Sequence, residues 1–202
     1  MTTIAPVQKS NFKPAPAGTQ MARCFSFVHI GTNMDIYMGE DKAFNKIRLG
    51  FELPEETQVY KDGEPAKPAI VYQEYTLSMG SKANLRKLVE GMLGVALNDD
   101  EASSFDVETL VGMVCLVTIK HKTSQKGNVR AEISSATPLM KSQTELPQIN
   151  PSIILSYGNW NQNVFEALPI FIKEKIQSSD EYRAMNGNTA NESQDDTNDI
   201  PF

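Results

Sequence analysis

Phe44, Lys46 and Arg48 occupy alternate positions in the stretch "AFNKIRLGFELP", and Tyr72 lies in a second alternating stretch, "IVYQEYTLSM". Lys120, Lys122, Lys126 and Arg130 crowd a third region of the chain. Alternation places residues two apart on one face of a strand, so each stretch presents its polar or aromatic set together. Flat rings beside cations suit a polyanion that carries stackable bases. Cations track the phosphates, and each ring can take a base for about 1–3 kcal/mol regardless of base identity. The same pattern also arises on any half-exposed sheet, whose solvent face carries charged residues by default.

Other chemistry finds weaker support. Gly80-Ser81-Lys82 has the ending of a phosphate-binding loop but lacks the glycine that such a loop needs upstream. Asp99, Asp100 and Glu101 open a helical stretch, where carboxylates cap the helix and complement its dipole. Cys24, His29, Cys115 and His121 are the zinc-type side chains. Cys24 and His29 differ by an odd number of positions, so a regular strand turns them to opposite faces. Both cysteines read as small buried hydrophobes. No nucleophile stands at a recognisable spacing from a base, so the sequence predicts no catalytic residue, no metal and no cofactor.

Strands must position the rings and cations. "QMARCFSFVHIG" reads as a first strand broken near Gly31. In the second stretch Ile47, Leu49, Phe51 and Leu53 face one way, Phe44, Lys46, Arg48, Gly50 and Glu52 the other, and Pro54 is the predicted stop. In the third, Val71, Tyr75, Leu77 and Met79 oppose Tyr72, Glu74, Thr76 and Ser78. "SKANLRKLVEGMLG" changes to helical spacing, with Ser81 as the expected N-cap and Gly94 as the stop. Asn98 and Glu101 form a capping-box pattern. "MVCLVTIKHKT" and "NVRAEISSATPL" return to strands across the loop "SQKGN".

Three strands, a helical insert and two strands give the element order of a five-stranded OB-fold barrel, mainly β, over residues 17–144. Order alone leaves other small β-barrels open. Residues 1–16 read as a flexible arm and 145–182 as a helical appendage. In that appendage Leu168, Phe171, Ile172 and Ile176 form an apolar stripe that must dock on the barrel or on another subunit. Residues 186–199 carry no apolar side chain larger than Ala, which predicts a disordered acidic tail over 183–202.

The formal net charge of -6 is concentrated at that end. Residues 181–202 hold five acids against Arg183, so the remainder is close to neutral, and the acidity does not exclude a nucleic-acid ligand. No apolar run has membrane-spanning length, and two distant cysteines fit a reducing cytoplasm.

The last residues, "DDTNDIPF", end on an aromatic ring after a polar stretch. A terminal Ile-Pro-Phe arises by chance on the order of once in ten thousand chains. This ending resembles the acidic tip of bacterial single-stranded DNA-binding proteins, with Thr197 and Asn198 interrupting the acidic run. The resemblance implies that Asp195, Asp196, Asp199, Ile200, Pro201 and Phe202 dock onto replication, recombination and repair enzymes. The segments "PAGTQMARC", "FELP", "YTLS" and "NLRK" are similar to phage-encoded members of that group. The chain departs from the bacterial members in carrying Phe and Tyr where stacking tryptophans are usual. Its single tryptophan, Trp160, lies outside the barrel strands. The implied function is sequence-tolerant binding of single-stranded DNA in the cytoplasm of a bacterial host. The alternatives are a non-catalytic interaction or virion-assembly protein and an RNA-binding module.

Overall fold

Met21 to Val28 are buried without interruption, because β1 (Gly18–Tyr37) has an apolar cluster on each face. The computed structural model describes residues 13–60, 63–124 and 127–192. β1 pairs antiparallel with β2 (Glu40–Gln58) along one edge. Its other edge takes β4 (Val114–Thr123) over Gly18–Arg23 and then the short parallel β6 (Ile153–Leu155) over Ser26–Val28. β3 (Lys67–Thr76) pairs with β2, and β5 (Val129–Pro138) with β4. The order is therefore β3-β2-β1-β4-β5, with β6 beside β1.

The architecture is mainly β, as expected, but the sheet is open and has six strands rather than five in a closed ladder. Its two outer strands, β3 and β5, share no backbone ladder. They meet through Gln73, whose amide donates to the Ile133 carbonyl at 3.2 Å and accepts from the Ile133 N–H at 2.7 Å.

Neither predicted strand break exists. β1 runs through Gly31 on a bulge, where φ of +91° suits glycine, and closes on β2 through Met38 and Gly39, both at positive φ. β2 passes Pro54 with a register shift between Leu53 and Thr57, where a missing N–H is tolerated. Ile47, Leu49, Phe51 and Leu53 are all fully buried, as their alternation predicts.

Helix α1 (Asn84–Leu93) buries Leu85, Leu88, Val89 and Met92. Ser81 does not cap it. A turn in which the Ala83 N–H donates to the Gly80 carbonyl intervenes, so Ala83 occupies the N-cap position. Gly94 ends α1 in the left-handed region, as expected. In α2 (Asp99–Ser103) the Asn98–Glu101 capping box forms, and Asp99 pairs with Arg86 at 2.7 Å. A 3-10 turn, Val107–Leu110, then leads into β4.

Residues 145–182 are not a separate appendage. Arg23 holds Glu145 and the Leu146 carbonyl at 2.6 Å each, and β6 joins the sheet. α3 (Gln162–Ala167) and α4 (Ile170–Gln177) follow. Ile172 and Ile176 dock against Val28 and Leu155 in the second core, whereas Phe171 stays outside it, so the predicted stripe is only half buried. Pro169 is the N-cap of α4.

The expected disorder from residue 183 does not begin there. α5 (Asp180–Glu192) continues through it, because Ser179 Oγ accepts from the Tyr182 N–H, two acids fill the first turn, and Arg183 pairs with Asp180. At the other end, Ala15 is buried in the main core and its carbonyl accepts from His121 Nε2 at 2.8 Å, so the described part of the predicted flexible arm is fastened. Residues 1–12 lie outside the described residues. No described helix is long and apolar enough to cross a membrane.

Glu181 clamps α5 to the β1–β2 ladder. Its carboxylate accepts from Thr32 N at 2.6 Å, Thr32 Oγ1 at 2.7 Å and Asn45 Nδ2 at 3.2 Å. Burial, the largest single effect, pushes its pKa up. The two Thr32 donors, its own backbone N–H and the His29 ring together outweigh burial and hold the carboxyl below its ordinary 4.5. The clamp is therefore at full strength above about pH 4.5 and is lost as pH falls through the lower folded value. Trp160, packed 5.7 Å from the Tyr182 ring, reports on this. Its emission should shift on acidification below that range in the wild type. In Glu181→Gln it should already be shifted at neutral pH; matching pH profiles would refute the clamp.

Candidate functional site

Cross-strand register assembles the first part of the site. Gly50 pairs with Tyr72, and Arg48 pairs with Glu74. Gly50 has no side chain above the sheet, so the Tyr72 ring lies over it; a Cβ at 50 would sit 2.6 Å from the ring. The Arg48 guanidinium rests 4.4 Å from the Tyr72 centroid, with the Phe171 ring 5.5 Å away. Arg48 also meets Glu74 at 3.7 Å, and Lys175 of α4 reaches the same carboxylate at 2.6 Å. Burial pulls the Arg48 pKa down while Glu74 raises it, and burial pushes the Tyr72 hydroxyl up. Tyr72 remains 40% exposed, so one part of its ring is open to a ligand.

A second cluster occupies the projecting β1–β2 hairpin. Phe44 meets Tyr37 edge-on at 6.0 Å, with Lys42 Nζ 5.6 Å from the Tyr37 ring and 5.7 Å from the Phe44 ring. Lys46 lies 5.8 Å from the Phe44 ring and binds Asp35 at 2.6 Å, which holds the Asp35 carboxyl below its ordinary range. Tyr37 and Lys42 escape the sequence reading. The Met38-Gly39 turn lacks the Asn-Gly or Asp-Gly signature that would have extended the alternation to them.

The remaining predicted residues divide. Arg130 joins Arg48 and Tyr72 along an open cleft of about 1160 Å³ between β3 and β5. Lys120 and Lys122 are exposed on β4, outside the residues that line the cleft; Lys122 meets Glu132 at 3.7 Å. Lys126 and the tip residues Asp195, Asp196, Asp199, Ile200, Pro201 and Phe202 lie outside the described residues.

The zinc-type side chains are engaged elsewhere. Cys24 and Cys115 are buried free thiols, and burial pushes each up to about 12, so both are protonated at neutral pH. His29 Nε2 is 2.7 Å from Asn45 Oδ1, and its ring meets Tyr157 edge-on at 5.0 Å. Among the described residues, no three His, Cys, Asp or Glu side chains gather as a metal site would require. No protein-family model and no curated protein matches the chain.

Proposed function

We propose that this protein binds single-stranded DNA without strong sequence preference and performs no catalysis. The observation that carries the reading is the Arg48–Tyr72 stack at the edge of the open β3–β5 cleft. It supplies the ring and the charge that sequence-tolerant binding of a single strand requires. Phe44 and Lys46 extend the same chemistry onto the hairpin, where a ring again lies beside a cation. The sheet order, with β3 and β5 brought together by Gln73, supports reading the domain as an OB-type barrel whose last seam is held by a side chain.

In this reading the protein protects exposed strands during phage DNA replication and recombination in the host cytoplasm. Its last residues, Asp195 to Phe202, recruit partner enzymes; this part rests on the resemblance of the ending.

The test is fluorescence anisotropy of labelled oligo-dT and a mixed-sequence oligonucleotide over a range of salt. Both should bind, and log affinity should fall linearly with log salt, by about 0.7 per phosphate contact on a single strand. Absence of binding in dilute buffer refutes the proposal, and clear preference for RNA of the same sequence reassigns it to an RNA module. A second reading, as an interaction or virion-assembly protein, draws on Met34, Ile36 and Met38, all exposed on the hairpin. It predicts concentration-dependent assembly without strand binding.

A further inference from the structure

We propose that the β3–β5 seam carries the sugar-phosphate backbone of the bound strand, and that Lys82 and Lys87 are phosphate-contacting residues. The inference rests on the single-strand reading above and assigns the strand a path across the outer edges of the sheet. The two solvent-exposed cations come from α1 and the turn before it. Neither was among the rings and cations on strands that the sequence singles out.

The cleft exists because the chain leaves the two outer strands unpaired. A ladder between β3 and β5 would fill the space with hydrogen bonds; here Gln73 spans it instead. The far wall is rigid. α1 lies so close to β5 that a Cβ on Gly91 would collide with the Ala136 carbonyl, and one on Gly94 with the Pro138 ring. The resulting space of about 1160 Å³ exceeds the roughly 300–1,000 Å³ of ordinary small-molecule pockets, and an open trough suits a polymer better than a metabolite.

Its charge selects an anion. Arg48, Lys82, Lys87, Arg130 and Lys175 line the cleft, against the carboxylates of Glu74 and Glu132. Those two carboxylates are already engaged, Glu74 by Lys175 and Arg48, Glu132 by Arg130 and Lys122. Lys82 and Lys87 have no ion-pair partner among the described residues. They line the same cleft as Tyr72, so a base stacked on Tyr72 leaves its backbone free to run toward α1. A polyanion crossing the seam releases counterions at each lysine that it meets.

The test compares Lys82→Ala/Lys87→Ala with Lys13→Ala/Lys141→Ala, which removes equal charge from exposed residues outside the cleft. The probe is labelled oligo-dT titrated from low to high salt. The cleft variant should flatten the salt slope by about 1.4, two contacts at 0.7 each, and the control variant should leave it near wild type. Lys82→Arg/Lys87→Arg should restore the slope. All four lysines are exposed, so the melting temperatures should agree and folding is not confounded. An unchanged slope in the cleft variant, or equal flattening in both, overturns the seam path while wild-type binding leaves the single-strand reading intact. Failure of the wild type to bind overturns both.

Discussion

Tyr72→Ala should weaken oligo-dT binding by about fivefold to 150-fold at every salt concentration. Loss of one stacking platform removes about 1–3 kcal/mol, and 1.4 kcal/mol is a factor of ten. Stacking displaces no counterion, so the salt slope should keep its wild-type value, whereas Lys46→Ala should flatten it. Tyr72→Phe retains the ring and should retain the affinity, which separates the ring from its hydroxyl. Gly50→Ala provides an independent route to the same result. Its new methyl would sit 2.6 Å from the Tyr72 ring, so the ring must leave its place over the sheet. Tyr72 lies on the polar face of β3, opposite the buried Val71 and Tyr75, so the core survives its truncation. Unchanged affinity in a folded Tyr72→Ala protein would exclude this ring as the platform and leave the hairpin pair Phe44 and Tyr37 as the remaining candidate.

What the sequence makes legible depends on whether a residue's environment is set by its own strand or by a distant one. Ile47, Leu49, Phe51 and Leu53 repeat with period two against one core, and their burial follows from that alone. The helix ends at Gly94 and Asn98 are equally local, because a cap answers to its own helix. Phe171 shows the opposite case. Its helical spacing groups it with Ile172 and Ile176, yet α4 docks with those two inward, and Phe171 rests beside Arg48 from another part of the chain.

The face of β2 opposite the core is where local reading fails most clearly. Alternation assigns Arg48 and Glu52 to one solvent side, and each meets a different partner there. β6 is three residues long and has no periodicity to read; only its parallel pairing with Ser26–Val28 defines it. The cleft was invisible for a related reason. It is made by the absence of a ladder between β3 and β5, and a missing pairing leaves no pattern in either strand.

Glu52→Ala should cost several kcal/mol of stability, because it removes a buried side chain that accepts three hydrogen bonds from neutral donors, each left unpaired at about 1–3 kcal/mol. Glu52 is fully buried although it stands on the polar side of β2. The segment before β6 covers it there, and its two oxygens accept from Ile149 N at 3.0 Å, Asn150 N at 2.8 Å and Asn150 Nδ2 at 2.7 Å. Alanine would leave three donors without a partner and a void where the carboxylate was. Glu52→Gln keeps the volume but turns an amide N–H toward a donor, so it should lose less than alanine and still fall short of wild type. Against a typical total of about 5–15 kcal/mol the alanine variant is severely compromised. Urea titration followed by Trp160 emission and by far-ultraviolet circular dichroism measures the loss. Trp160 belongs to the second core, which the Glu52-bound segment ties to the sheet, so its transition should precede the loss of strand signal. Coincident transitions at the wild-type midpoint would show that this carboxylate anchors nothing.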